Sequence, residues 1–128
     1  MVSIEVQPPT EIQPGAEFYP PMVIRCPRGH YSFFQVVLVS ASAVDTVAST
    51  LLQGTLVQSP RAPETSSREN REDFAVFPDL RIELPGTYMI QVKAYQMDYE
   101  FGQPGAIHVA EVSTRAIQVH HSAATGQL

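Results

Sequence analysis

Residues 74–95, FAVFPDLRIELPGTYMIQVKAY, constrain the fold more than any other stretch of this chain. Two short apolar runs, at 74–77 and 80–84, are parted by Pro78-Asp79, and Pro85-Gly86 then precedes a third run from Thr87 to Tyr95. Proline presets a turn backbone and glycine tolerates positive φ, so the punctuation predicts strand, turn, strand. In the third run Tyr88, Ile90, Val92 and Ala94 share one face, and Thr87, Met89, Gln91 and Lys93 share the other. A period of two marks a strand with one buried face.

The rest of the chain has the same texture. Val2, Ile4 and Val6 alternate with polar residues and predict a first strand. Residues 7–21 are rich in Pro, Gly and Glu and predict an extended crossing segment. A short strand at 22–26 and a turn at Pro27-Arg28-Gly29-His30 follow. Residues 32–39 form a near-continuous apolar strand, buried on both faces or packed at an interface. Residues 40–49 are small and polar, enough for a helical turn. Residues 50–58 predict one strand, with Gly54 as a bulge or a point of close backbone approach. Residues 59–73, SPRAPETSSRENRED, lack apolar periodicity and predict a mobile loop. A hairpin connection at 97–106, a last strand at 107–120 and a frayed tail at 121–128 complete the reading.

About eight short strands separated by turn signals indicate one antiparallel β-sandwich, ordered over about 2–120 in a single domain spanning 1–128. The expected core includes Phe34, Val36, Leu38, Leu56, Phe77, Leu80, Tyr88, Ile90 and Val92. A chain of 128 residues with 44% hydrophobic content can bury such a core. No apolar run approaches the ~20 residues of a membrane-crossing helix. MVSIEVQPP has neither the basic nor the apolar region of a secretory leader, and the single Cys26 excludes an intrachain disulfide. Cys26 is therefore read as a small buried hydrophobe in a reducing compartment.

Motifs for catalysis are missing. There is no GxSxG, HExxH, P-loop or GxGxxG. His120 and His121 are adjacent, so on a strand they point to opposite faces and do not form a metal pair. His30, the only base near Cys26 in sequence, does not by itself make a catalytic thiol. Asp98 and Glu100 beside Tyr99 read as solvated carboxylates. No cofactor, metal or small-molecule substrate is expected, and the chain reads as nonenzymatic.

The net charge is −5, from eight basic and thirteen acidic residues. A polyanion is then held only by a local basic patch that releases counterions. The candidates are Arg25 and Arg28 near Cys26, and Arg61, Arg68 and Arg71 in the charged loop. Arg81, Lys93 and Arg115 are expected on strands; Arg81 and Lys93 read as solvated charges, and Arg115 is a weaker candidate for phosphate contact. The long apolar run at 31–39 marks Tyr31, Phe33, Phe34, Val37 and Val39 as a candidate protein interface.

A family resemblance runs through these elements. Phe77-Pro78-Asp79-Leu80 followed by Pro85-Gly86-Thr87-Tyr88 resembles the core of the velvet domain, a family of fungal regulators. Gly54-Thr55-Leu56-Val57 resembles its GTLV strand. Tyr31-Ser32-Phe33-Phe34 with Val37-Leu38-Val39-Ser40-Ala41 resembles its aromatic core strand. Pro20-Pro21-Met22-Val23-Ile24 and Val6-Gln7-Pro8-Pro9 resemble its entry and opening strands. The pieces follow the family's order over about residues 4–119. The resemblance implies an immunoglobulin-like sandwich similar to Rel-homology domains, and dimerisation with itself or another velvet protein. It also implies DNA recognition and a role in development and secondary metabolism, in nucleus and cytoplasm.

Two departures stand out. Where the family carries a basic segment after the Gln-Pro pair, this chain has the acidic Thr10-Glu11-Ile12-Gln13-Pro14-Gly15-Ala16-Glu17. The family's basic Lys-Phe-Pro-Gly stretch and late helix are replaced by a direct run from Val109 to Val119. The resemblance thus implies DNA contact through a dimer with a more basic partner. The alternative is an interaction module without DNA binding.

Overall fold

The computed structural model describes residues 2–41, 51–62, 71–98 and 105–121, and among these there is no α-helix. The strands are β1 (Ser3–Val6), β2 (Glu11–Ile12), β3 (Met22–Pro27), β4 (Phe33–Ser40), β5 (Leu52–Gln53) and β6 (Val57–Gln58). They continue with β7 (Glu72–Phe77), β8 (Arg81–Ile82), β9 (Gly86–Asp98), β10 (Gly105–Ser113) and β11 (Ile117–Val119). Strands β1-β3-β7 form a three-stranded sheet. Strands β2-β11-β9-β4-β6 form a second sheet of six, in which β10 also pairs with β9, and β5-β8 form a small two-stranded sheet. Every ladder is antiparallel except β2 with β11. This is an all-β sandwich, as the turn-punctuated sequence predicts.

The alternation of β9 explains the packing. Tyr88, Ile90, Val92 and Ala94 are buried, and each faces a β4, β10 or β11 residue across the ladder. Phe34, Val36 and Leu38 of β4 join them from the neighbouring strand, and Met22, Ile24, Cys26, Ala75 and Phe77 close the core from the three-stranded sheet. Of the expected core residues only Leu56 is half-buried, packed against the cluster rather than inside it.

The motifs at 77–80 and 85–88 turn out to be joints of the fold. Asp79 accepts hydrogen bonds from the Thr55 amide at 2.8 Å and the Thr55 hydroxyl at 3.0 Å. A Cβ on Gly54 would lie 2.4 Å from the Asp79 carbonyl oxygen, and Gly54 has φ 114, so only glycine fits. The Gly54-Thr55 step thereby locks onto Pro78-Asp79 through side chain and backbone together. The Tyr88 hydroxyl lies 3.2 Å from the carbonyl oxygens of both Leu84 and Pro85 and donates to them. A sandwich tyrosine bonding back to the chain just upstream is a tyrosine corner. A Cβ on Gly86 would come within 2.8 Å of that ring, so Gly86 leaves the space Tyr88 occupies.

Several expectations are corrected. The single strand at 50–58 is split at Gly54, β5 joining β8 and β6 joining β4. The last strand, 107–120, is broken between β10 and β11. There Thr114 is buried, its amide donates to the Ile90 carbonyl at 2.9 Å, and its hydroxyl accepts from the Ile90 amide at 2.9 Å. The loop at 59–73 is narrower than expected. Glu72 and Asp73 open β7, and Arg61 pairs with Phe74 in an isolated bridge. The crossing segment contains β2, which moves the chain from one sheet to the other. The helical turn at 40–49, the middle of the loop at 63–70 with Arg68, the connection at 99–104 with Tyr99 and Glu100, and the tail at 122–128 fall wholly or almost wholly outside the described residues.

Candidate functional site

Four of the five candidate arginines lie on or beside the β3–β7 part of the three-stranded sheet. In the β3–β7 ladder Arg25 stands opposite Phe74. On the other side of Phe74, Arg61 exchanges two backbone hydrogen bonds with it, both 2.8 Å. Residues directly opposed in antiparallel strands share a face. Arg25, Phe74 and Arg61 therefore form one row on the outer face, since Ile24 and Cys26 fill the inner one. Just past the end of the ladder the Arg28 amide donates to the Arg71 carbonyl at 2.9 Å, so these two residues are neighbours as well. Arg28, Arg61 and Arg71 are exposed. Arg68 lies outside the described residues.

The same edge carries acids. Arg25 pairs with Glu5 at 3.3 Å and with Glu72 at 3.5 Å, and all three side chains are about half exposed. Such solvated pairs contribute about 0–1 kcal/mol each and are open to exchange. The remaining arginines make local contacts, Arg81 on β8 and Arg115 in the break between β10 and β11 rather than on a strand. Arg81 pairs with Glu83 at 3.2 Å. Arg115 takes Gln7 through its amide at 3.1 Å and the Pro8 carbonyl through its guanidinium at 3.3 Å, pinning the crossing segment.

The candidate interface residues divide by face. Phe34 is buried in the core, which corrects it from interface to interior; Val39 is buried too, but on the other face, opposite Met89 and outside the core cluster. Tyr31 packs against Phe34 with ring centroids 5.7 Å apart. Phe33 and Val37 lie half-buried on the outer face of the six-stranded sheet, opposite Tyr95 and Gln91. The rings of Phe33 and Tyr95 stack at 4.9 Å and 11°, and His108 adjoins Tyr95 at 5.5 Å. The Tyr95 hydroxyl donates to Gln35 at 3.3 Å. Glu111 accepts from Gln91 at 2.9 Å and pairs with His108 at 3.3 Å. The alternation of β9 already places Lys93 with Gln91 and Met89 on this face. Tyr95, His108 and Glu111 were missed because their meeting depends on the β9–β10 register. Beyond it Met97, Ile107 and Val109 are large hydrophobics left exposed.

Among the described residues no nucleophile is assembled. Cys26 is buried, and burial first, then the Asp73 carboxylate beside it, push its thiol above the ordinary cysteine range. A thiol held protonated is a poor nucleophile and a poor ligand. Asp73 is itself buried, with one carboxylate oxygen unpaired. His120 pairs with Glu11 at 3.2 Å, while His121 is exposed. Among the described residues no three His, Cys, Asp or Glu side chains converge as metal ligands.

No known family model matches the chain, and no curated protein matches it. Neither comparison supports the velvet likeness, which rests on the sequence motifs alone. Those with a visible task here, Thr55 with Asp79 and Gly86 with Tyr88, serve the fold.

Proposed function

We propose that this chain is a nonenzymatic regulatory sandwich of velvet type. It pairs with itself or with another velvet protein and acts in nucleus and cytoplasm on fungal development and secondary metabolism. DNA is contacted by the dimer, through the arginine edge. The observation that carries this reading is the gathering of Arg25, Arg28, Arg61 and Arg71 on one sheet of an otherwise acidic chain. Arginine at such an edge suits charge-assisted bonds to phosphate, with one or two side chains reaching base edges. Glu5 and Glu72 beside Arg25 weaken this edge, which is why a more basic partner supplies the remaining affinity.

The same two glutamates favour a second reading, an interaction module without DNA contact. An electrophoretic shift at low salt separates the two. The first reading expects a weak shift with the chain alone and a tight, specific one with a velvet partner. Absence of a shift in a formed dimer selects the interaction module. Tight, salt-resistant binding by the chain alone contradicts dependence on a partner.

A further inference from the structure

The outer face of the six-stranded sheet has one element left over. Across β4, β9 and β10 the register sets Phe33, Tyr95 and His108 in one row, and Gln35, Lys93 and Glu111 in the next. Val37, Gln91 and Ser113 form the third. The polar groups of this face are largely matched to one another. Glu111 is taken by His108 and Gln91, and Gln35 by the Tyr95 hydroxyl. Lys93 is the exception. It sits half-buried at the centre with Glu111 directly opposite in register, and its ammonium makes no hydrogen bond or ion pair among the described residues. A half-buried, unmatched ammonium suits a carboxylate brought by a partner.

We propose that this face receives a second copy of the chain, face to face, with Lys93 of each copy meeting Glu111 of the other. The inference rests on the dimerising role proposed above and names its partner and its surface. A two-fold axis lying between the sheets, parallel to the strands and midway between β9 and β10, brings β9 of one copy over β10 of the other. Lys93 then lies over Glu111, Tyr95 over His108 and Gln91 over Ser113. Phe33 is carried to the free edge of β10, where Val109 is exposed. Charge supports the choice of occupant. The chain as a whole is at −5, yet these three rows hold one lysine, one glutamate and one histidine and are close to neutral. A second copy thus meets no like-charge field here.

The test is a charge exchange read by sedimentation velocity. The wild-type chain forms a dimer, and Lys93→Glu and Glu111→Lys each weaken it about tenfold or more. An equimolar mixture of the two variants recovers pairing, because each Lys93–Glu111 contact is restored with its sign reversed in one of the two sites. Lys93→Gln, which removes the charge without adding another, gives a smaller loss and guards against a misfolded Lys93→Glu. A wild-type chain that stays monomeric at on the order of 100 μM overturns the proposal, as does a Lys93→Glu chain that dimerises like wild type. Either result combined with retained binding to a velvet partner leaves the proposed function standing, and loss of that binding too removes both.

Discussion

Gly54, Thr55 and Asp79 form the tightest residue-scale joint. Gly54→Ala forces a Cβ against the Asp79 carbonyl at a positive φ and is expected to destabilise the fold by about 1–3 kcal/mol. Gly105→Ala, with no atom near its Cβ, serves as the silent control in urea melts. The Thr55 amide, ahead of the Thr55 hydroxyl, holds the Asp79 carboxyl below the ordinary aspartate range. A depressed folded value means stabilisation that is present above the unfolded value. It is lost as pH falls through the folded one. Thermal melts of wild type and Asp79→Asn should therefore differ at neutral pH and converge on acidification below about pH 4. A difference that is the same at pH 7 and at pH 3 contradicts the assignment. Cys26 belongs to this scale as well. A neutral, buried thiol should resist alkylation in the native chain and react on unfolding.

At the scale of the strand, Tyr88 does two separable things. Its ring fills the core, so Tyr88→Ala should cost about 3–5 kcal/mol, as should Phe77→Ala. Its hydroxyl closes the corner at Leu84 and Pro85, so Tyr88→Phe should cost about 0.5–1.5 kcal/mol. Equal losses for the two Tyr88 variants in chemical denaturation would mean that the corner, not the ring, holds β9. The alternation from Tyr88 to Ala94 was legible because a half-buried strand writes its faces into the sequence at period two. The run from Phe33 to Val39 was not, because apolar residues stand on both of its faces. Burial of Phe34 against half-exposure of Phe33 follows only from pairing with β9. The breaks at Gly54 and Thr114 were hidden for a related reason. Each is imposed by a distant segment, Asp79 in one case and Ile90 in the other.

At the scale of the whole molecule, the two larger sheets carry different surfaces among the described residues. The three-stranded sheet gathers arginines, and the six-stranded sheet carries the aromatic outer face. The first assembly was only half legible. The sequence supplies the arginines, but residue 28 meets residue 71 through a long-range β3–β7 ladder that no local pattern encodes. The acidic segment at 10–17 and the salt-bridged Arg25 limit what such an edge holds alone. The measurement that tests this account most directly is the salt dependence of duplex DNA affinity, by fluorescence anisotropy, for the dimer formed with a velvet partner. It compares wild-type chain with the triple variant Arg28→Ala, Arg61→Ala, Arg71→Ala. Neutralising about three phosphates through this chain predicts a log–log slope steeper by about 3 in wild type than in the variant. Equal slopes and equal affinities in the two dimers would contradict it, because DNA would then be held without this edge.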